Sequence, residues 1–335
     1  MDAIGAYDLT KVYGPGGGRP ALHGVNLLVP EGRSMACVGP ESSGKTTLIR
    51  LLSGLLRPSS GECSVLGLSP GYEAARLHSM VGTVLYSSKL YADLSLWDNL
   101  LFFAGIQKLT KSNAIERASF LLRRLNLWEE REHSPRQLST GMFKRASLAR
   151  ALIHRPRVLL LDSQGAGMDL ETAGLVRELL EYAGSQEGVT LLMCTQDMGF
   201  VQDFCQSFGL LHEGTLMARG DLESLRLAGG AKLRASLRLK DGDEAPEGFR
   251  RQQNGLWQKS LESEEEMPRL IMQVVSGGGS LYEARVIRPT LWEIYQAHLD
   301  SGRRREAEIH GETRDEAQLL PAEEPGTESD VPEGS

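Results

Sequence analysis

Apolar residues in the first 85 positions come in short runs broken by glycine-rich turns, a spacing that predicts strands. Ser34-Met35-Ala36-Cys37-Val38 reads as a buried strand entering a glycine loop, and a helix is expected from Lys45 to about Leu55. From Leu90 to about Ile153 the spacing turns helical, with Leu100, Phe103, Leu121, Leu122 and Leu125 as core positions. Val158 to Leu161 and Thr190 to Cys194 then read as parallel-type strands separated by an amphipathic helix near residues 170–184. Beyond Gly220 and the Gly229-Gly230 pair the pattern shifts. Leu233, Ala235, Leu237 and Leu239 alternate as in an edge strand, and Pro268 begins a helix that closes near Gly277-Gly278-Gly279. No internal repeat is present.

These elements in 335 residues, with 41% apolar and 24% charged content, predict a globular protein of two folded units and a tail. No run approaches the roughly 18 to 20 apolar residues of a membrane-spanning helix, and the N-terminus lacks a secretory pattern. A cytoplasmic location is therefore expected. The net charge of −7 is concentrated at the end: residues 306–335 hold ten acidic side chains against one arginine, so the remainder is nearly neutral. That tail, rich in Glu, Pro, Gly and Ser, is expected to be disordered, and the folded part has no basic excess to match a nucleic acid. Cys37, Cys63, Cys194 and Cys205 are widely separated, which predicts reduced, buried thiols and neither a zinc site nor a disulfide framework.

The chemistry starts at Gly39-Pro40-Glu41-Ser42-Ser43-Gly44-Lys45-Thr46, which matches G-x-x-x-x-G-K-[ST] between a predicted strand and a predicted helix. Backbone N–H groups of such a loop wrap a β-phosphate, Lys45 reaches the β and γ phosphates, and the Thr46 hydroxyl ligates Mg²⁺. Glu41 adds a negative charge beside an anion site. Ser42 carries a Cβ where close backbone approach favours glycine.

Taken together, the motifs resemble the ATP-binding subunits of ABC transporters over residues 5 to about 225. The resemblance implies an α/β fold: a P-loop NTPase core of ABC type over 1–225, with an antiparallel β subdomain and a helical subdomain at about 89–155. A small C-terminal α+β domain over 226–300 and the acidic tail 301–335 follow. Tyr13 sits where the family stacks a ring on adenine, a buried structural tyrosine being the alternative. The implied nucleotide set is Tyr13, Gly39 to Thr47 and Asp162, with Thr46 and Asp162 holding Mg²⁺, the latter through water. Leu138-Ser139-Thr140-Gly141-Met142 is similar to the signature LSGGQ, which serves the nucleotide of the opposite subunit; helix capping also explains Ser139. Val158-Leu159-Leu160-Leu161-Asp162 resembles Walker B, and Asp169 matches the D-loop aspartate.

Three positions depart from the family. Its catalytic Glu is Ser163 here, its switch His is Gln196, and its Q-loop Gln is Tyr86. A hydroxyl at neutral pH is no useful proton acceptor, and loss of a general base costs about 10² to 10⁴ in rate. The resemblance thus implies a degenerate ATP site. Its expected partners are a transmembrane permease and a second ATP-binding subunit, a catalytically complete one in preference to a second copy, at the inner face of the membrane.

Residues 90–100, Leu90-Tyr91-Ala92-Asp93-Leu94-Ser95-Leu96-Trp97-Asp98-Asn99-Leu100, and the ending Arg288 to Leu299 are similar to segments of exporter-type subunits. Tyr91 and Trp97 then serve either as docking anchors or as core. A scaffolding ATP-binding subunit without hydrolysis and a non-transport ABC protein are the other readings.

Overall fold

The computed structural model describes residues 1–14, 18–85, 90–162 and 168–303. The first half of the chain contains β1 (Asp2–Lys11), β2 (Leu22–Pro30), β3 (Ser34–Val38), α1 (Lys45–Leu52), β4 (Ser60–Val65), α2 (Ala74–His78), β5 (Val81–Val84), α3 (Leu96–Ile106), α4 (Lys111–Arg124), α5 (Thr140–Leu152) and β6 (Val158–Asp162). Next come α6 (Leu170–Glu187), β7 (Thr190–Thr195), α7 (Met198–Gln202), β8 (Ser207–His212), β9 (Thr215–Gly220) and α8 (Leu222–Gly229). The chain then builds β10 (Leu233–Leu239), β11 (Arg250–Arg251), β12 (Trp257–Leu261), α9 (Glu266–Ser276) and β13 (Leu281–Ile287), and ends in a helix, α10, over residues 291–303. The expectations placed on Tyr86, Ser163 and the acidic tail beyond residue 303 lie outside the described residues.

Three sheets organise these elements. The central one has the order β5-β6-β7-β3-β8-β9, parallel except for β9. Every residue of β6 and β7 is buried, which is what helices on both faces of a parallel sheet require. A second, antiparallel sheet, β2-β1-β4, shares a core with α1 through Ile4, Leu27, Leu48 and Leu52. Between β5 and β6 the chain leaves to form α3, α4 and α5. Ser95, Thr110 and Ser139 cap these helices, each side chain accepting a backbone N–H from the first turn. Leu100, Leu121, Leu122 and Leu125 are fully buried there, and Phe103 is half-buried.

The third sheet, β11-β12-β10-β13, is antiparallel, with α9 on one face. Here the expected edge strand is corrected: β10 is interior, paired with both β12 and β13. Alternation of Leu with polar residues reports burial of one face, and an interior strand of a one-faced antiparallel sheet shows the same pattern. Two helix bounds also shift. α1 stops at Leu52 because Gly54 turns the chain at φ 76°, and α9 starts at Glu266, leaving Pro268 in the first turn, where its missing N–H costs nothing.

The segment following β13 leaves this sheet. Leu291, Ile294 and Tyr295 of α10 are buried in the core of the parallel sheet and helices. The Tyr295 hydroxyl pairs with Nδ1 of His212 at 2.8 Å, and the Leu291 N–H donates to Gln202 at 2.6 Å. Each apolar side chain buried this way contributes about 1.5–3 kcal/mol, so α10 ties the last sheet's chain to the first core. Among the described residues no helix is long and apolar enough to cross a membrane.

Candidate functional site

The register of the central sheet sets Val38 beside Thr195 and Cys194 beside Asp162. The carboxyl ends of β3, β7 and β6 therefore form one rim, the place where parallel α/β sheets hold ligands. The loop Gly39 to Gly44 crosses that rim into α1. Both of its glycines are dictated by space. A Cβ on Gly39 would lie 2.0 Å from the Leu211 carbonyl oxygen, and one on Gly44, at φ 104°, would lie 2.5 Å from that of Ala21. Ser42 takes the left-handed conformation, φ 62°, despite its Cβ, so the concern raised by its side chain appears as backbone strain.

Lys45 is buried at 7% exposure, and its ammonium donates to the carbonyls of Gly39 and Pro40 and to Ser43 Oγ. Burial pulls its pKa below the ordinary lysine value, against the pull of Cys194, Asp162 and Glu41. Glu41 is exposed, and its charge favours the lysine cation while opposing an incoming anion. The Thr46 hydroxyl donates to Asp162 Oδ1 at 3.0 Å, joining the two expected metal positions. Two hard oxygen donors beside a buried cation suit a Mg²⁺–polyphosphate. Among the described residues no three His, Cys, Asp or Glu converge to hold a metal alone, so an ion at Thr46 and Asp162 would need donors from outside the chain.

Tyr13 is not the buried structural residue of the alternative reading. It is 48% exposed, its hydroxyl 3.2 Å from Thr47 Oγ1, with the Lys11 ammonium 5.7 Å from the ring centroid. The ring is open for stacking at the mouth of the loop. Gln196, exposed just past β7, stands on the same rim.

The signature residues lie elsewhere. Ser139 and Thr140 are exposed, Leu138, Gly141 and Met142 half-buried, and Ser139 Oγ accepts the Met142 N–H at 3.2 Å as the cap of α5. Gly141 faces the start of α6: a Cβ there would lie 2.6 Å from Thr172 Oγ1 and 2.9 Å from Asp169 Oδ2. Asp169 caps α6 through the Thr172 N–H and hydroxyl, both at 2.9 Å, and these bonds hold its carboxyl below the ordinary pKa. The structure thus brings together two groups, Lys45 with Thr46 and Asp162, and Gly141 with Asp169.

Two features escaped the sequence. Cys37 and Cys194, adjacent in register and buried, lie beneath Lys45, and burial pushes the Cys194 thiol well above its usual range. A groove of about 460 Å³ lies between α3, α5 and β5, lined by Leu55, Phe103, Ile106, Arg150 and His154. Tyr91, 52% exposed, packs on Phe102 and Phe103, whereas Trp97 is half-buried and packs edge-on against Trp128. Segments this far apart along the chain carry no shared sequence signal for a groove.

A phosphate loop at the carboxyl rim of this sheet, with a helical insertion presenting a capped serine, defines the class of nucleotide-binding cassettes. The family model described as ABC transporter matches residues 22–164. The chain is 33% identical over 220 residues to the lipoprotein-releasing system ATP-binding protein LolD 1 of Rhodopirellula baltica, covering 64% of this chain and 95% of that protein. It is 32% identical over 218 residues to the spermidine/putrescine import ATP-binding protein PotA of Trichodesmium erythraeum, covering 65% of this chain but 57% of the relative. A solved dimeric structure of a bacterial ABC transporter cassette superposes with a TM-score of 0.60 at 26% identity, over 65% of this chain and 98% of that one. The chain belongs to the ATP-binding subunits of the ABC transporter family. Relatives named for import and for release both occur.

Proposed function

We propose that this chain binds Mg²⁺-ATP at Tyr13, Lys45, Thr46 and Asp162 and couples that binding to transport, with little turnover at its own site. The observation that carries the reading is the Thr46–Asp162 contact of 3.0 Å beside the buried Lys45, on a rim that presents Gln196 in place of a titratable switch residue. Mg²⁺, when bound, neutralises charge on the phosphate oxygens. Lys45 would exchange its loop carbonyls for those oxygens, Thr46 and Asp162 would hold the ion, and Tyr13 would cover the purine face. Gln196 donates or accepts a hydrogen bond but carries no proton through titration, and Ser163 at the family's base position leaves a bound water unactivated.

Gly141 stands against Asp169 and Thr172, and Ser139 caps its own helix, in keeping with a signature that completes a second, catalytically competent subunit in a heterodimer. The groove beside Tyr91, Phe103 and Ile106 offers an apolar bed for a short helix of a membrane permease, which would hold the chain at the inner membrane face. Export is favoured by residues 90–100 and 288–299, both similar to exporter-type segments. The division into units 1–225 and 226–300 is part of the same proposal, with α10 as the tie between them.

ATPase activity of the purified chain, alone and with its permease and candidate second subunit, tests this. Turnover is expected only in the mixture. Robust turnover by the chain alone, abolished by Lys45→Ala, would refute the degenerate site.

A further inference from the structure

In an antiparallel sheet directly opposed residues share a face, and the last sheet divides sharply by that rule. Leu237 with Trp257 and Ala284, and Leu233 with Leu261, face α9. The opposite face sets Arg234 against Ser260 and Ile287, Ser236 against Gln258 and Arg285, and Arg238 against Glu283; Arg250 of β11 lies beyond Gln258. Arg288 follows directly after β13. The side chains of Arg238, Arg285 and Arg288 are 57%, 74% and 69% exposed, and Arg250 is exposed as well.

Five guanidiniums on this surface meet three carboxylates. Glu293 of α10 holds Arg234 at 2.8 Å, Glu264 holds Arg288 at 2.8 Å, and Glu283 is shared between Arg238 and Arg285. Arg250 makes no ion pair among the described residues. The face is left positively charged, and pairs this exposed are worth at most about 1 kcal/mol, so incoming carboxylates displace them cheaply.

A source of such carboxylates belongs to the chain itself. Residues 306–335 hold ten acidic side chains against Arg314 alone. The described chain ends at Arg303 on α10, and a thirteen-residue helix is only about 20 Å long. Thirty residues extended reach about 100 Å, enough to return to the sheet from that point. Tethering also supplies an effective concentration on the order of millimolar, which populates contacts too weak to form between separate molecules.

We propose that the acidic segment 306–335 docks in cis on the outer face of β10–β13, its carboxylates taking the guanidiniums of Arg238, Arg250 and Arg285 and withholding that face from other anions. The proposal does not rest on the transport reading. The test uses the full chain with a benzoylphenylalanine photocrosslinker in place of Gln318, the product mapped by mass spectrometry. Cross-links are expected on the outer face of β10, β11, β12 or β13, with the yield falling at least tenfold in Arg238→Glu/Arg250→Glu/Arg285→Glu. Should that variant fail to fold, Glu306→Gln/Glu308→Gln/Glu312→Gln/Asp315→Asn/Glu316→Gln, which leaves residues 1–303 untouched, must produce the same fall. The tail-neutralised chain should also bind phosphatidylglycerol vesicles more strongly than the wild type. Cross-links elsewhere, links between light and heavy isotope-labelled chains, a yield indifferent to both charge changes, or equal vesicle binding would each overturn it.

Discussion

Lys45 and Ser139 mark the N-terminal ends of two helices, α1 and α5, and these ends are built in opposite ways. Gly44 caps α1 with no side-chain bond, so the first-turn N–H groups keep their donors for a ligand, and the Lys45 ammonium is folded onto loop carbonyls nearby. At α5 the donor is already satisfied: Ser139 Oγ accepts the Met142 N–H, and Gly141 is pressed against Asp169 and Thr172. An uncapped end with a buried cation fits the proposed site within its own chain. A capped, exposed end has no such local need, which fits a role completed by another chain.

The sharpest way to break this contrast is to place a carboxylate at position 163 and an imidazole at position 196. Ser163→Glu with Gln196→His should raise the chain's own ATPase rate by about 10² to 10⁴ over wild type; a rate left unchanged in a steady-state assay would show that the deficit lies elsewhere. Next in size is Lys45→Ala, which removes charge-assisted bonds worth about 1.5–3 kcal/mol and should weaken Mg²⁺-ATP binding by roughly 10- to 150-fold in calorimetry. Its counterpart separates the two ends. Ser139→Ala should leave the chain's own nucleotide affinity within about twofold while lowering the ATPase rate of the assembled complex about tenfold or more. Equal loss of nucleotide affinity in both variants would erase the distinction.

A pH experiment weighs the α5 side alone. His154, just past α5, is half-buried beside Arg117 and Arg150, and burial foremost, with those cations adding, lowers its pKa to about 4. The folded histidine stays neutral while the unfolded one protonates below about 6.5. Its stability contribution is therefore full above that value and is lost as pH falls toward 4, by up to about 3 kcal/mol. Urea midpoints should decline less steeply over this range in His154→Gln than in wild type; parallel declines would count against the assignment. The smallest effect concerns the phosphate loop. Ser42→Gly relieves a left-handed Cβ conformation costing about 1 kcal/mol, so the melting temperature should rise by about 2–4 °C.

The strand, glycine loop and helix around Lys45 were legible because the signal is local: strand, glycines, lysine and threonine are consecutive, and Gly39 and Gly44 have no alternative once the backbone passes Leu211 and Ala21. The cap at Ser139 was equally readable, since it bonds a residue three positions on. Asp169, read from the sequence only as matching the D-loop, caps α6 in the structure by the same spacing. β10 was misplaced at an edge because alternation reports which face is buried and says nothing about how many neighbours a strand has.

What the residues determined by themselves was the order of motifs, the apolar faces and the charge of the tail, all properties of spacing along one chain. Only the tertiary structure decided that Thr46 meets Asp162 across 116 positions, that Gly141 abuts Asp169, and that Tyr295 is buried beside His212. The physical reason is that contacts between distant segments depend on which strands become neighbours, and pairing register leaves no trace in local periodicity.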